Sequence, residues 1–195
     1  MAARLEIPLR KDVPASHRWD LARLSKDEQS WEHDLAALES MIGKIPSYRG
    51  TLGASSDALY ATLVFAKEYG LLDERIGYYA HLRQTEDEGD STSRARMGRY
   101  MMTATKGSGA WSWFAPELQR VPDASIESWM DEERFAEFRV YLRKILRYKP
   151  HVLSEGEERL LALASDAATT PHEAFSVLTN VDLDFGTVET TDGPR

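Results

Sequence analysis

The stretch WEHDLAALESMIGKI, residues 31–45, predicts the fold class of this chain. Its apolar side chains recur at spacings of four and three residues, which places on one helix face Trp31, Leu35, Leu38, Ile42 and Ile45. Ser25 and Glu28 precede them at the spacing of a capping box, and Pro46 follows where a helix must end. We therefore expect an amphipathic helix that buries this stripe against other helices.

The same spacing predicts six more helices after Pro46, and Gly70 separates the first two of them. Their expected positions are 57–69, 71–84, 97–118, 135–145, a helix opened by Ser154 and a helix opened by Thr170. Because the connections are short, neighbouring helices are expected to pack mainly up and down, in antiparallel pairs. The predicted fold class is all-α, with about seven helices.

The long helix over 97–118 has two predicted features. Gly107, Gly109 and Pro116 weaken its helical propensity or remove a hydrogen bond, so we expect a bend near 107–116. Its buried face is expected to carry Met97, Met101, Ala104, Ser108, Trp111, Ala115 and Leu118.

The last residues of the chain have a different pattern. Val181, Leu183 and Phe185 alternate with polar residues or glycine, which predicts a strand over 181–188. Asp192-Gly193 then offers a turn, so we expect half of a hairpin whose second strand lies beyond this sequence. A strand without its partner exposes unpaired backbone groups, and self-association through the edge of residues 181–188 is therefore expected.

Composition excludes several classes of function. A formal net charge of −8 argues against a nucleic-acid surface, which needs clustered lysine and arginine. Cysteine is absent, which excludes disulfides and cysteine-ligated metals and suits a reducing cytoplasm. The sequence contains no apolar run of the ~20 residues that cross a bilayer, so no membrane partner is expected.

One short motif invites a metal-site interpretation. His172-Glu173 is the first half of the HExxH motif, in which two histidines on one helix face bind the same zinc ion. The second histidine would have to stand at Ser176, and Glu173 is better placed to cap a helix. The acidic run at 86–90 also lacks the order of a calcium loop, and we expect Asp90 or Ser91 to cap the next helix. No metal, cofactor or catalytic residue is predicted in this chain.

Two groups of residues are candidates for binding. Arg139, Arg143 and Arg147 recur at spacings of four, which places them on one helix face. They predict either a solvated face paired with acidic neighbours, or a surface that grips an acidic partner or a peptide carboxylate. Trp113 belongs to an aromatic cluster with Trp111; it either packs in the core or, because it lies off the main stripe, faces a ligand or another domain.

Four blocks of sequence resemble oligoendopeptidase F, a zinc metallopeptidase related to thimet oligopeptidase. Trp19-Asp20-Leu21 followed by Trp31-Glu32 is similar to the opening of that family. IPSYRGTL at 45–52, YLRKILRYKPHVLSEGEERLLALAS at 141–165 and AFSVLTNVDLDFGTV at 174–188 resemble later blocks in the same order. The resemblance extends over essentially the whole chain.

The resemblance implies a role for the chain as part of a larger enzyme. In that family the N-terminal helices form one wall of a deep channel that admits short peptides, and a later domain carries HExxH and a downstream glutamate that bind zinc. No residue here matches those ligands, so this chain alone is expected to be inactive, with zinc only in the parent protein. A cytoplasmic location is also implied.

The expected organisation is an extended leader over 1–24, a helical domain over 25–180 and, over 181–195, the start of a hairpin that leads into a missing catalytic domain. The alternative is a free-standing helical protein-interaction module without catalysis. The unfinished hairpin favours the peptidase fragment.

Overall fold

The computed structural model describes residues 10–87 and 89–151. Beyond them it describes isolated positions only, which are 157, 171, 174, 175, 178, 179, 183, 189, 190, 193 and 194. The chain divides into two compact units, one of Pro8–Lys149 and one of Met1–Ile7 with Pro150–Arg195. The fold described below is that of the first unit.

Six α-helices form the described part of the first unit: α1 (Glu28–Lys44), α2 (Ser56–Glu86), α3 (Ser91–Trp111), α4 (Phe114–Arg120), α5 (Asp123–Met130) and α6 (Arg139–Tyr148). Short 3-10 helices cover Arg10–Asp12, Ala15–His17, Leu21–Arg23, Ile45–Tyr48 and Glu133–Phe138. The predicted all-α class is therefore confirmed for this unit. None of the described helices is long and apolar enough to span a bilayer.

Contacts between the first three helices define their directions. The indole N–H of Trp31 in α1 donates to the carbonyl oxygen of Ile76 in α2 over 3.2 Å, while Tyr48, just after α1, stacks on Phe65 near the start of α2. Later residues of α1 and its extension thus meet earlier residues of α2, so α1 and α2 run antiparallel. Glycines of α2 and α3 show the same relation, because Tyr100 lies against Gly77 and Tyr69 lies against Gly107.

Helix α2 connects two hydrophobic clusters. Its first turns contribute Leu59 and Leu63 to a cluster with α4, α5 and α6, and its later turns contribute Tyr69 and Ile76 to a cluster with α1. At 1.5 Å per residue, its 31 residues extend about 46 Å. A single helix therefore carries side chains of both clusters.

The predicted count and bounds of the helices need correction. Gly70 does not end a helix, and the helices expected at 57–69 and 71–84 are the single helix α2. Glycine in a helix costs about 1 kcal/mol relative to alanine, and the buried side chains on either side, Phe65, Tyr69 and Ile76, outweigh that cost.

The long helix expected at 97–118 is divided into α3 and α4, with its break at residues 112–113, inside the predicted bend. Helix α5 was not predicted, and the helices expected after Ser154 and Thr170 lie outside the described residues.

The predicted strand over 181–188 is not shown. Leu183 is the one residue of that range that the structure describes, and its N–H donates to the carbonyl oxygen of Leu178 over 2.8 Å rather than to a strand. Two short strands follow, β1 (Glu189–Thr190) and β2 (Gly193–Pro194), and they pair antiparallel with each other. The partner of β1 is thus a strand that lies within this sequence. The expected extended leader contains short 3-10 helices from Arg10 onward.

The helix caps partly agree with the prediction. Asp27, not Ser25, caps α1, and its carboxylate accepts from the N–H of Ser30 over 2.8 Å. Ser25 is buried, and its hydroxyl donates to the carbonyl oxygen of Asp27. Asp90 caps α3, as predicted, by accepting from the N–H groups of Thr92 and Ser93.

Helix α3 buries a different face from the predicted one. Its buried residues are Ser93, Arg96, Thr103 and Gly107, whereas Met101 is 51% exposed. Arg96 keeps only 5% of its side chain exposed. Its guanidinium forms an ion pair with Glu28 of α1 and lies 5.8 Å from the ring centroid of Trp31. Of the predicted stripe, Leu118 is buried and Met97 and Trp111 pack against the cluster with α1, whereas Met101 and Ser108 are exposed. The stripe missed Arg96 because hydropathy assigns an arginine to the surface, and here a carboxylate and aromatic rings surround it.

We expect Glu28→Gln to lower the free energy of unfolding by about 2 kcal/mol, because it leaves the buried Arg96 without its charged partner. Glu32→Gln, one turn later on α1, is the matched control. It breaks the pair between Glu32 and Arg99, whose side chain is 52% exposed, and should cost at most about 1 kcal/mol. Urea denaturation of both variants measures the difference, and equal losses would contradict the importance of burial.

Candidate functional site

The arginines predicted on one helix face all lie on α6, but their surroundings differ. The Nε of Arg139 donates to the carbonyl oxygen of Met130, the last residue of α5, over 2.7 Å, and its Nη2 contacts that of Glu132 at 3.4 Å. Glu133 lies 3.7 Å from the same guanidinium. Carbonyl groups at the end of a helix lack N–H donors from the helix itself, and Arg139 supplies such a donor at the C-terminus of α5. Its contacts are those of a structural residue.

Arg143, one turn later, is exposed and has no ion pair or hydrogen bond with any described residue. Arg147 is also exposed, and its guanidinium lies 5.5 Å from the ring centroid of Tyr148. Of the three arginines, Arg143 is therefore the one that has no ion pair, hydrogen bond or ring contact with the described residues.

Arg139 and Arg143 line one open pocket of about 620 Å³ between α5 and α6. Its other lining residues are Glu127, Met130, Asp131 and Leu146. Two carboxylates thus share the pocket with the two guanidinium groups, and an anion bound to Arg143 would have to tolerate them. The pocket therefore attracts a carboxylate at Arg143 and a cationic group at Glu127 and Asp131, so a ligand that carries both charges matches it better than an isolated anion.

Trp113 is not one of the residues that line this pocket. It is partly buried beside both hydrophobic clusters, where its ring stacks on Trp111 with centroids 6.0 Å apart. Phe114 meets it edge-on at 6.0 Å. The indole N–H is shielded from solvent and has no acceptor among the described residues. The structure therefore places Trp113 where the two clusters meet.

Sequence reasoning missed a polar group between α2 and α3. Asp73 lies near the hydroxyl groups of Tyr69 and Tyr100, and burial raises the pKa of its carboxyl group, while a hydrogen bond from Tyr100 acts in the opposite direction. Burial, together with the charge of Asp73, raises the pKa of each tyrosine to about 12. The sequence did contain a signal for this group, because Asp73 is a charged residue on the same helix face as the apolar positions Tyr69 and Ile76.

The described residues contain no group of three histidine, cysteine, aspartate or glutamate side chains that could hold a metal ion. His172, Glu173 and Ser176, the residues of the half motif, lie outside the described residues.

A family model described as Oligopeptidase F matches residues 117–185. Among curated proteins, the chain is 29% identical to Oligopeptidase PepF of Bacillus subtilis, over 96% of this chain and 28% of that protein. It is also 29% identical to an Oligoendopeptidase F homolog of Borreliella burgdorferi, over 92% of this chain and 30% of that protein. The chain thus spans less than a third of the length of these relatives.

Solved structures give the same result. The crystal structure of oligoendopeptidase-F from Enterococcus faecium matches with a TM-score of 0.62 and 29% identity, over 86% of this chain and 33% of that one. A protein from Chlamydophila abortus shares the fold, with a TM-score of 0.72 and 24% identity over 97% of this chain. These findings confirm the resemblance predicted from the sequence: the chain is similar, over most of its length, to the N-terminal region of oligoendopeptidase F.

We expect Arg139→Ala to lower the free energy of unfolding by about 1–2 kcal/mol, because two carbonyl groups lose their donor. Arg143→Ala, the matched control on the same face, should change it by less than about 0.5 kcal/mol. Urea denaturation of the two variants tests this difference. A destabilisation by Arg143→Ala as large as that by Arg139→Ala would show that Arg143 has a structural partner.

Proposed function

We propose that this chain is the N-terminal helical part of a zinc metallopeptidase of the oligoendopeptidase F type, and that it forms one wall of a channel for short peptides. The observation that supports the proposal is the similarity to Oligopeptidase PepF over 96% of this chain, which spans only 28% of that relative. The peptide substrates, the zinc ion and a cytoplasmic location belong to the same proposal.

The half motif His172-Glu173 does not complete a zinc-binding helix. Ser176 occupies the position where the HExxH motif requires its second histidine. In the proposed parent protein the zinc ligands and the general base therefore belong to sequence outside this chain. The contribution of the present residues is to shape and charge the wall.

The proposal is tested with the full-length gene product and internally quenched peptides of different lengths. We expect cleavage of short unstructured peptides, loss of activity with a chelator, and recovery when zinc is added. The 195-residue chain is the control and should release no fluorescence under any of these conditions. Activity that is indifferent to the chelator, or failure to cleave any short peptide, would reject the proposed function.

Within this proposal, Arg143 is the residue we assign to substrate. Its guanidinium group is free among the described residues and faces a pocket that contains opposite charges as well. A guanidinium binds a carboxylate through two parallel hydrogen bonds, so the C-terminal carboxylate of a peptide fits this position. Arg147 and Trp113 stay candidates for peptide contact, but Tyr148 and the aromatic cluster already contact them.

In the full-length protein, Arg143→Ala should raise KM for a peptide with a free C-terminus by about tenfold and leave kcat unchanged, because the lost contact is made equally in the ground and transition states. The same peptide with an amidated C-terminus should show no change. Lys144→Ala, which removes a neighbouring exposed charge that does not line the pocket, is the control. Equal effects on both peptides would exclude recognition of the terminal carboxylate.

A further inference from the structure

A second, smaller pocket lies between α2 and α3. It encloses about 290 Å³, which is near the lower end of the range for small-ligand sites. The residues that line it are Asp73, Glu74, Gly77, Tyr78, His81, Met97 and Tyr100. Two tyrosine rings and a methionine thioether thus supply apolar walls, and two carboxyl groups supply the charge.

The shape of the pocket depends on Gly77. A Cβ atom on that residue would lie 2.5 Å from Cζ of Tyr100 and 2.5 Å from its hydroxyl oxygen. The ring of Tyr100 therefore rests directly on the backbone of α2. Any larger residue at 77 would displace the ring and change the pocket.

Asp73 is the least satisfied polar group in this pocket. Its Oδ1 is shielded from solvent and has no hydrogen-bond partner among the described residues. Burial raises the pKa of the carboxyl group; a hydrogen bond from Tyr100 lowers it, and the neighbouring Glu74 raises it. A partly buried carboxylate with one oxygen unpaired is stabilised by a cation that comes close.

The lining residues supply no permanent cation. None of the described residues that line the pocket is lysine or arginine, and His81 is the one group among them that can be protonated to a cation. The nearest arginine in sequence, Arg75, is already paired with Asp34 at 2.8 Å. The pocket therefore presents negative charge beside apolar and aromatic surface.

We propose that this pocket binds an ammonium group carried on an apolar stem, either a small organic amine or a lysine side chain. The ammonium group would lie beside Asp73 and Glu74, and the stem would lie against Met97. The rings of Tyr78 and Tyr100 add the attraction between a cation and an aromatic face. This site does not depend on the proposed peptidase function.

The experiment is a calorimetric titration of the 195-residue protein with phenethylamine at about pH 7, where the amine is charged. The neutral analogue 2-phenylethanol is the ligand control. A second pair, N-acetyl-lysine amide and N-acetyl-norleucine amide, distinguishes a side-chain ligand from a free small amine. We expect a charged member to bind at least tenfold more tightly than its neutral analogue.

Asp73→Asn should weaken that binding by about tenfold or more. Glu68→Gln is the matched control, since it removes an exposed carboxylate of the same helix that does not line the pocket, and binding should be unchanged. Met97→Lys is a second variant, which places an ammonium group inside the pocket and should abolish amine binding. Met97→Leu should preserve it. A melting curve of each variant shows that it is folded.

Binding of phenethylamine alone, or of the lysine amide alone, identifies the source of the amine and supports the proposal. Equal binding of charged and neutral analogues, or no measurable binding of either amine, would overturn it. Full amine affinity in folded Asp73→Asn would overturn it too. If Asp73→Asn fails to fold, the amine affinity of folded Met97→Lys is the test instead, and an affinity equal to that of the unmodified protein would overturn the proposal.

Discussion

The buried guanidinium of Arg96 is the constraint on which the three-helix part of the structure depends. A charge this far from solvent is tolerated only with a partner, and Glu28 of α1 supplies it. Trp31 of α1 and Tyr79 of α2 lie 5.8 Å and 5.7 Å from the guanidinium carbon, so side chains of all three helices meet at one cation. A shift of α1 against α3 by one turn would separate the charge from its partner, and a shift of α2 would remove the ring of Tyr79.

Further contacts extend the register that Arg96 sets between α1 and α3. The exposed pair of Arg99 with Glu32 follows one turn later, and the hydroxyl of Thr103 donates to Glu39 over 3.2 Å. The residue numbers rise together along both helices, so α1 and α3 run parallel, and α2 lies antiparallel to both. This is the up-and-down arrangement that short connections favour.

Two reciprocal contacts determine how closely α2 and α3 approach. Tyr100 of α3 rests on Gly77 of α2, and Tyr69 of α2 rests on Gly107 of α3. Each glycine leaves the space that a tyrosine ring of the facing helix fills, so glycine is required for packing rather than for a turn. The same contacts bring both hydroxyl groups near Asp73, which explains why the helix interface and the candidate amine pocket share residues.

The sequence pattern predicted the helices that depend on neighbouring residues, and it failed where contacts with distant residues determine the bounds of a helix or its buried face. The spacing of apolar residues predicted α1, and the propensity of Gly109 and Pro116 predicted the break after α3, because both are properties of neighbouring residues. Gly70 and Gly107 were interpreted as weak points, but Tyr69 of the facing helix packs on Gly107, and buried side chains on either side keep α2 continuous through Gly70. The spacing of the arginines also could not show that Arg139 is structural and Arg143 exposed, because Arg139 differs only in its contact with the end of α5, which the sequence pattern did not predict. Helix α5 has only 8 residues and two buried ones, which is too short for a clear period.

The block IPSYRGTL at 45–52 shows how one carboxylate joins the two hydrophobic clusters. Gly50 has a φ of +85°, a conformation that favours glycine, and its N–H donates to Glu117 of α4 over 2.7 Å. The N–H of Leu52 donates to the other oxygen of the same carboxylate over 2.9 Å. Ile45 is buried in one cluster and Leu52 in the other, so this loop connects them while Glu117 holds its shape.

Three separate features therefore cross from one cluster to the other: helix α2, the loop held by Glu117, and the pair Trp111 and Trp113. Because each is made by different residues, bending the unit between its clusters would have to break all of them together. The open pocket at Arg143 borders one cluster, and the smaller pocket at Asp73 borders the other. Both candidate sites thus lie on one framework, and these three connections fix the distance between Arg143 and Asp73.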